Sequence, residues 1–273
     1  MRSVRTAARS LPLLLSSAAC CLLLAACTGT ESPAPPAPPT ATAPPAATAA
    51  TARPAHPSPS ATPSASADAA ASVVEHQVLL GGTTLTISAP TLEAPPGTDA
   101  DVVTLVADLP VSVRLGGPGS LVAHTDGSLT VLDDAGTPVA GIAPPDSLAT
   151  TRTAVPEPGR AEVTASAEEG GATSGSVVLT GAGTALAAAT WGDREGGRSL
   201  AVEPTTWART AGEAGVELLA AELGAAEPEA QSTTMLDQLT CHAIGAPDKA
   251  TWNLEPWRPD VGLMSVLAAR CNP

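Results

Sequence analysis

The 273-residue chain carries 27 acidic against 13 basic residues, a formal net charge of −14, and its aromatic residues are four tryptophans with no Phe or Tyr. A field of that sign repels nucleic acid and anionic polymers, which counts against DNA, RNA or lipid headgroups as direct partners. Arginine outnumbers lysine twelve to one, with Lys249 alone, and asparagine occurs only at Asn253 and Asn272, a bias that points to a GC-rich genome.

The chain opens with Arg2, Arg5 and Arg9, followed by an apolar run from Leu11 to Leu24 that is too short to span a bilayer and about the length of a signal-peptide core. Leu24-Ala25-Ala26-Cys27 then resembles a bacterial lipobox. Residues 1–26 are therefore expected to be a lipoprotein signal peptide, cleaved after Ala26 to leave Cys27 bearing a diacylglycerol. Two acyl chains hold a protein on a membrane where one does not. The implied location is the extracellular face of the cell membrane of a high-GC Gram-positive bacterium. A secreted protein with an incidental Cys27 is the alternative. Loss of the three n-region arginines takes the formal charge from −14 to −17. Residues 27–72 contain the lipidated cysteine and a Pro, Ala, Thr and Ser tract that has too few aliphatic side chains to bury a core. Such composition favours a disordered, extended tether of about 3.1 Å per residue, with His56 solvated within it.

Five cysteines sort by position. Cys20 and Cys21 leave with the signal and Cys27 takes the lipid, so Cys241 and Cys271 remain for the folded part. In an exported chain this pair reads as one disulfide, restricting the unfolded chain by about 3–4 kcal/mol. A catalytic thiol is the competing reading.

Residues 73–183 hold short β-branched runs between turn residues and read as a β-rich domain, a meander or small sandwich. Val78-Leu80 and Thr83-Ile87 flank Gly81-Gly82, and His124 and Leu129-Leu132 flank Asp126-Gly127, both dipeptides suited to tight hairpin turns. Val102-Ala107, Val139-Ile142, Glu162-Ala165 and Ser176-Thr180 are further strands. Asp99, Asp101, Asp133 and Asp134 match no calcium-loop spacing, and no metal is expected.

Residues 184–273 form a second module that contains all four tryptophans, Trp191, Trp207, Trp252 and Trp257. A strand around Trp191 and another at Ser199-Val202 flank Gly196-Gly197 as a hairpin. Gly212 to Leu223 has helical spacing at Val216, Leu219 and Leu223, with Gly224 placed as a C-terminal cap. Ser232 is placed to cap a second helix carrying Met235, Leu236 and Leu239 and ending near His242. The chain then runs extended to Pro256 and loops into an apolar segment, Val261-Ala269, before Cys271.

The motifs WGDREGGRSLAVEPTTWAR (Trp191-Arg209), TMLDQLTCH (Thr234-His242), KATWNLEPWRP (Lys249-Pro259) and the final Cys271-Asn272-Pro273 occur in that order. Through them the C-terminal module resembles the bacterial family of domain of unknown function 2599, found in exported and lipid-anchored actinobacterial proteins. The resemblance implies an α+β domain with Cys241 paired to Cys271, and implies no activity. The whole chain is accordingly expected to be α+β: a β-rich domain followed by a disulfide-closed α+β module.

Signatures of nucleophilic, metal or cofactor chemistry are missing. Gly171-Ala172-Thr173-Ser174-Gly175 is not G-x-S-x-G, Gly181-Ala182-Gly183 lacks the third glycine of a dinucleotide loop, and neither HExxH nor CxxC occurs. No cofactor is expected. His242 with Asp237 or Glu255 is a candidate general base; the alternative is a histidine capping a helix end beside the disulfide. Glu255 and Arg258 are candidates for binding a polar ligand or for an ion pair within their loop. Trp252 and Trp257 suit a sugar-stacking platform or a core otherwise lacking aromatics, and Asn253 lies between them. The leading expectation is a non-enzymatic, lipid-anchored envelope protein that binds a cell-wall component or envelope protein. The rivals are an extracellular hydrolase or wall-modifying enzyme using His242, and a structural or assembly subunit.

Overall fold

In sheet A, β1 (Val74–Leu80) and β2 (Thr83–Ala89) pair across Gly81-Gly82, both at positive φ. This computed structural model of the chain describes residues 72–97, 101–166 and 174–273. The signal, Cys27, the tether up to residue 71, Asp99 and Gly171-Ala172-Thr173 lie outside the described residues. The remaining strands of the β-rich part are β3 (Leu92–Glu93), β4 (Val102–Asp108), β5 (Val111–Leu115), β6 (Ser120–Ala123), β7 (Leu129–Leu132), β8 (Pro138–Ile142), β9 (Asp146–Ser147), β10 (Thr151–Glu157), β11 (Arg160–Ala165) and β12 (Ser176–Ala182). Sheet A runs β1-β2-β5-β11-β10, and sheet B runs β3-β4-β12-β8-β7-β6, with β9 beside β12. All the pairs are antiparallel.

Both sheets contribute to one aliphatic core, and the contributors alternate along each strand as a period of two requires. Leu85, Ile87 and Ala89 of β2, Val111 and Val113 of β5, and Val163 of β11 meet Leu105 of β4, Val131 of β7 and Leu179 of β12. Of the intervening residues of β2, Thr84 is exposed and Thr86 and Ser88 are half-buried. The second expected hairpin closes on a wider loop: the His124 N–H donates to the Ser128 carbonyl at 2.9 Å, so Asp126-Gly127 is the tip of a five-residue connection.

The C-terminal part adds a third sheet of β13 (Leu186–Arg194), β14 (Gly197–Pro204) and β15 (Trp252–Leu254), with α1 (Gly212–Ala226), a 3-10 turn (Pro228–Gln231), α2 (Thr233–Gly245) and α3 (Leu263–Ala268). The chain is thus α+β and rich in strands. The β13–β14 turn is Glu195-Gly196, both at positive φ, one residue earlier than the Gly196-Gly197 expected from sequence. Gly197 instead starts β14, where a Cβ would overlap the Trp257 indole. Gly224 does not end α1, which continues to Ala226 ahead of Pro228. Its missing Cβ makes room for the Gln231 side chain, whose amide donates to the Ala220 carbonyl at 2.8 Å. Ser232 occupies the N-cap position of α2 without a side-chain capping bond, and the helix runs three residues past His242.

The two cores meet at a seam. Trp207 lies over Gly141 of β8, where any Cβ would collide with its ring, and its Nε1–H donates to the Thr180 carbonyl of β12 at 3.3 Å. Ala143 and Ala182 of the β-rich part belong to the same apolar cluster as Leu218, Leu219, Leu223, Met235 and Trp252.

Candidate functional site

β15 is the edge of the third sheet, and a strand edge leaves N–H and C=O groups that must find partners. Helix α2 supplies them from two residues one turn apart. The Gln238 amide donates to the Glu255 carbonyl at 3.0 Å and accepts from the Glu255 N–H at 2.9 Å, while His242 Nε2 donates to the Asn253 carbonyl at 3.1 Å. That bond fixes the Nε2–H tautomer. The His242 ring is buried, lies nearly parallel to the Trp252 indole at 6.4 Å, and its Nδ1 has no hydrogen-bond partner. Burial pushes the imidazole below its ordinary value of 6.5, against the opposing effect of the Asn253 carbonyl, so the neutral ring is favoured.

The segment after β15 turns inward. Glu255 and Arg258 are both buried, with Arg258 Nε donating to Glu255 Oε2 at 2.6 Å. The same guanidinium donates from Nη2 to Glu195 Oε2 at 2.8 Å and to Asn272 Oδ1 at 3.1 Å, and from Nη1 to the Pro273 carbonyl at 3.2 Å. It thus ties the β13–β14 turn to the chain end, which the Cys241–Cys271 disulfide holds to α2. Trp252 is fully buried; Trp257 is 45% exposed, with Arg258 over its ring. Arg209 donates to the carbonyls of Pro247, Lys249 and Ala250, holding the approach to β15.

Of the residues singled out in the sequence, the fold brings His242, Asn253, Glu255 and Arg258 into one neighbourhood as parts of the framework. His242 bonds to Asn253, and Glu255 bonds to Arg258. Asp237 makes no hydrogen bond to the His242 ring: five residues apart on a helix, the two side chains point to different faces. Asp133, a candidate excluded from calcium binding by spacing, accepts the N–H groups of Ala135 and Thr137 at 2.9 and 2.8 Å and closes the β7–β8 turn. Among the described residues no group of three or more His, Cys, Asp or Glu is placed to hold a metal ion.

A concave site lies elsewhere, at the seam. Helix α1 has no capping side chain of its own; Ala211 stands at its N-cap. The caps come from the β6–β7 loop. Asp126 Oδ2 accepts the Glu213 N–H at 2.8 Å, and Ser128 Oγ accepts the Ala214 N–H at 3.1 Å, satisfying two of the free donors of the first turn. Gly212, at φ +65°, is the residue that lets Asp126 approach, since a Cβ there would overlap the carboxylate. Burial raises the Asp126 carboxyl, but the Ser128 hydroxyl and the N–H groups of Glu213 and Ser128 outweigh it, and the net effect is a value below the ordinary 3.8.

Between α1 and α2, beside this cap, opens a cleft of about 460 Å³, within the range of small-ligand sites. Ala208, Val216, Ala243 and Ile244 form its apolar lining, and Asp126, Glu213 and Glu217 stand at its rim. Behind the glutamates sits the buried His124 ring, with Nδ1 3.5 Å from Glu213 and Nε2 3.5 Å from Glu217 and 2.8 Å from the Thr130 hydroxyl. Sequence reading assigned Asp126 to a hairpin and Val216 to the helix core. The available signal was an exposed-side apolar pair, Val216 and Ile244, on two consecutive helices, but their convergence depends on how those helices cross.

No helix among the described residues is long and apolar enough to cross a membrane. No solved structure matches the chain. The chain is 43% identical over 83 residues to an uncharacterized protein of Mycobacterium tuberculosis, Rv0477, and equally to one of Mycobacterium bovis, Mb0487. These matches cover 28% of this chain, which spans about half, 56%, of the length of each relative. Residues 186–273 match the family described as "Protein of unknown function (DUF2599)", so the C-terminal module, with its Arg258 network and its disulfide, belongs to that family.

Proposed function

We propose that this chain is a lipid-anchored envelope protein whose folded part binds a cell-wall component or an envelope protein through the cleft between α1 and α2. Cys27 carries the lipid, the Pro/Ala-rich composition of residues 27–72 suits a spacer between membrane and folded part, and the β-rich sheets present the C-terminal module. The lipobox and tether composition support the address. The cleft supports the binding role and carries it: an apolar concavity of about 460 Å³ with charged groups at its rim is the usual form of a ligand site. A binding role is preferred to hydrolysis because His242 is buried with its Nε2–H committed to the Asn253 carbonyl, and Glu255 is buried and paired with Arg258.

Two measurements test this reading. Cys27→Ser should move the protein from the membrane fraction into the medium or leave it unprocessed; unchanged fractionation and migration would refute the anchor. The mature chain should be retained on purified cell-wall material or on an envelope protein fraction, and Val216→Glu, which charges the cleft, should abolish retention without lowering the melting temperature. Retention unaffected by Val216→Glu would place binding elsewhere, and release of soluble fragments from the wall would replace binding by hydrolysis.

A further inference from the structure

The rim of the cleft is one-sided in charge. Asp126, Glu213 and Glu217 line it with a single guanidinium, Arg209. That guanidinium is directed at the backbone carbonyls of residues 247, 249 and 250 and does not pair with any of the three carboxylates. Asp126 commits Oδ2 to the α1 cap and Oδ1 to the N–H and hydroxyl of Ser128, whereas Glu213 and Glu217 share one imidazole between them. Even a charged His124 would balance only one of the two. Their side chains are 50% and 46% exposed, so solvent screens each alone; set on one rim above an apolar floor, they act in concert on a charge held between them.

Resting on the reading of the cleft as a ligand site, we infer that it takes a ligand combining an apolar body with a cationic head. The apolar part fits against Val216, Ala243 and Ile244, and an ammonium or guanidinium group sits between Glu213 and Glu217. An anionic amphiphile of the same shape would meet the same floor and a repelling rim. Specificity then comes from the rejected charge as much as from the accepted one. Trp207, next in sequence to the cleft residues Ala208 and Arg209, is fixed over Gly141, so the near wall is held rigid by the seam.

The test compares n-octylammonium with octanoate, which share a hydrocarbon chain and differ in the sign of the head. The full mature chain, carrying Cys27→Ser to keep lipid out of the assay, is titrated with each while the backbone amide resonances of the cleft-lining residues Val216, Thr240 and Ala243 are followed. Octylammonium should shift these resonances with an affinity at least tenfold above that of octanoate, and the preference should shrink as salt is raised. Glu213→Gln with Glu217→Gln should bring the two ligands to within about twofold while leaving the melting temperature unchanged, since glutamine keeps the shape and the oxygen that accepts the Thr125 hydroxyl at position 213. Val216→Trp, which fills the cleft, should remove both responses. Equal affinities in the wild type, a preference for octanoate, shifts outside the cleft, or no shift at all would each overturn the inference. Wall retention that is lost in Val216→Glu while octylammonium fails to bind would leave the cleft as a binding site and refute only the ligand class. Loss of neither retention nor resonance position in any variant would refute both.

Discussion

The two halves of the folded part solve the same problem with different materials. From Val74 to Ala182 no aromatic residue is present, and the sheets close on alternating Leu, Val, Ile and Ala, fully buried at Leu85, Ile87, Val113 and Val131. From Leu186 onward two buried tryptophans, Trp207 and Trp252, join the aliphatic core and Trp191 packs against it, and each of the three has a specific partner. Trp191 Nε1 donates to Glu227 at 2.9 Å under the Arg198 guanidinium, Trp207 reaches Thr180, and Trp252 has the His242 ring and the Arg209 guanidinium near its indole. A small module of mixed helix and sheet cannot exclude water by alternation alone, so it adds a buried ion pair and a disulfide. The first half should therefore tolerate aliphatic exchanges that conserve volume, whereas the second should be brittle at single polar positions.

The largest effect should come from the residue that belongs to both halves. Trp207→Ala removes the ring from Gly141 and the bond to Thr180, and should cost about 3–5 kcal/mol in urea unfolding. If the halves are independent, the loss will appear in only one of two transitions; a single shifted transition will show that the seam makes them one cooperative unit. Next is Arg258→Met, which leaves Glu255 buried with no cation and should cost about 3 kcal/mol, while Glu255→Gln, which keeps an acceptor, should cost less. If both variants unfold like the wild type, the pair is not part of the scaffold. Replacing Cys241 and Cys271 together by alanine opens a loop with a sequence separation of 30 and should cost about 3 kcal/mol by thermal unfolding, with sheets A and B little affected by near-neighbour probes.

The smallest effects are carried by titrating groups. Asp126 has its folded value lowered below 3.8, so its contribution is present above pH 3.8 and disappears as pH falls through the lowered folded value. Asp126→Asn should therefore cost about 0.5–1 kcal/mol at pH 7, through loss of a charged cap, and the gap to wild type should close in strong acid. His242 behaves in the same sense. Its folded value is lowered, so stability is complete above pH 6.5 and falls as pH drops from 6.5 toward the folded value, because the unfolded chain takes up the proton first. His242→Gln should flatten that part of the pH profile; a profile of unchanged slope would show that the ring does not titrate differently on folding.

The strands expected from period-two alternation are present because a half-buried strand writes its burial into its own sequence: Thr83–Ala89 is buried at Leu85, Ile87 and Ala89. Val111–Leu115 and Thr151–Glu157 are strands that the sequence does not announce. The first is five residues behind a proline, and the second carries Arg152, Pro156 and Glu157 on the outer strand of sheet A, where packing no longer dictates an apolar pattern. Gly224 misled because glycine serves both as a helix cap and as a site of close approach, and the deciding neighbour, Gln231, belongs to the next element. Gly196-Gly197 misled by one residue for the same reason: Glu195 takes the positive φ, and Gly197 is kept small by Trp257 from sixty residues away.

Local chemistry in the sequence determined the disulfide, the α+β class and the membership of residues 186–273 in their family, because each depends on residue types and spacings along the chain. Only the tertiary structure decided what the polar residues do. Whether His242 is a base or a partner for a strand edge depends on which carbonyl lies opposite it, and whether Glu255 is free or paired depends on the turn that brings Arg258 back. The cleft is the extreme case. Its rim joins Asp126 to Glu213 and Glu217 across about ninety residues, and the potential between them exists only once the β6–β7 loop caps α1, since electrostatic fields follow distance in space and not separation in sequence.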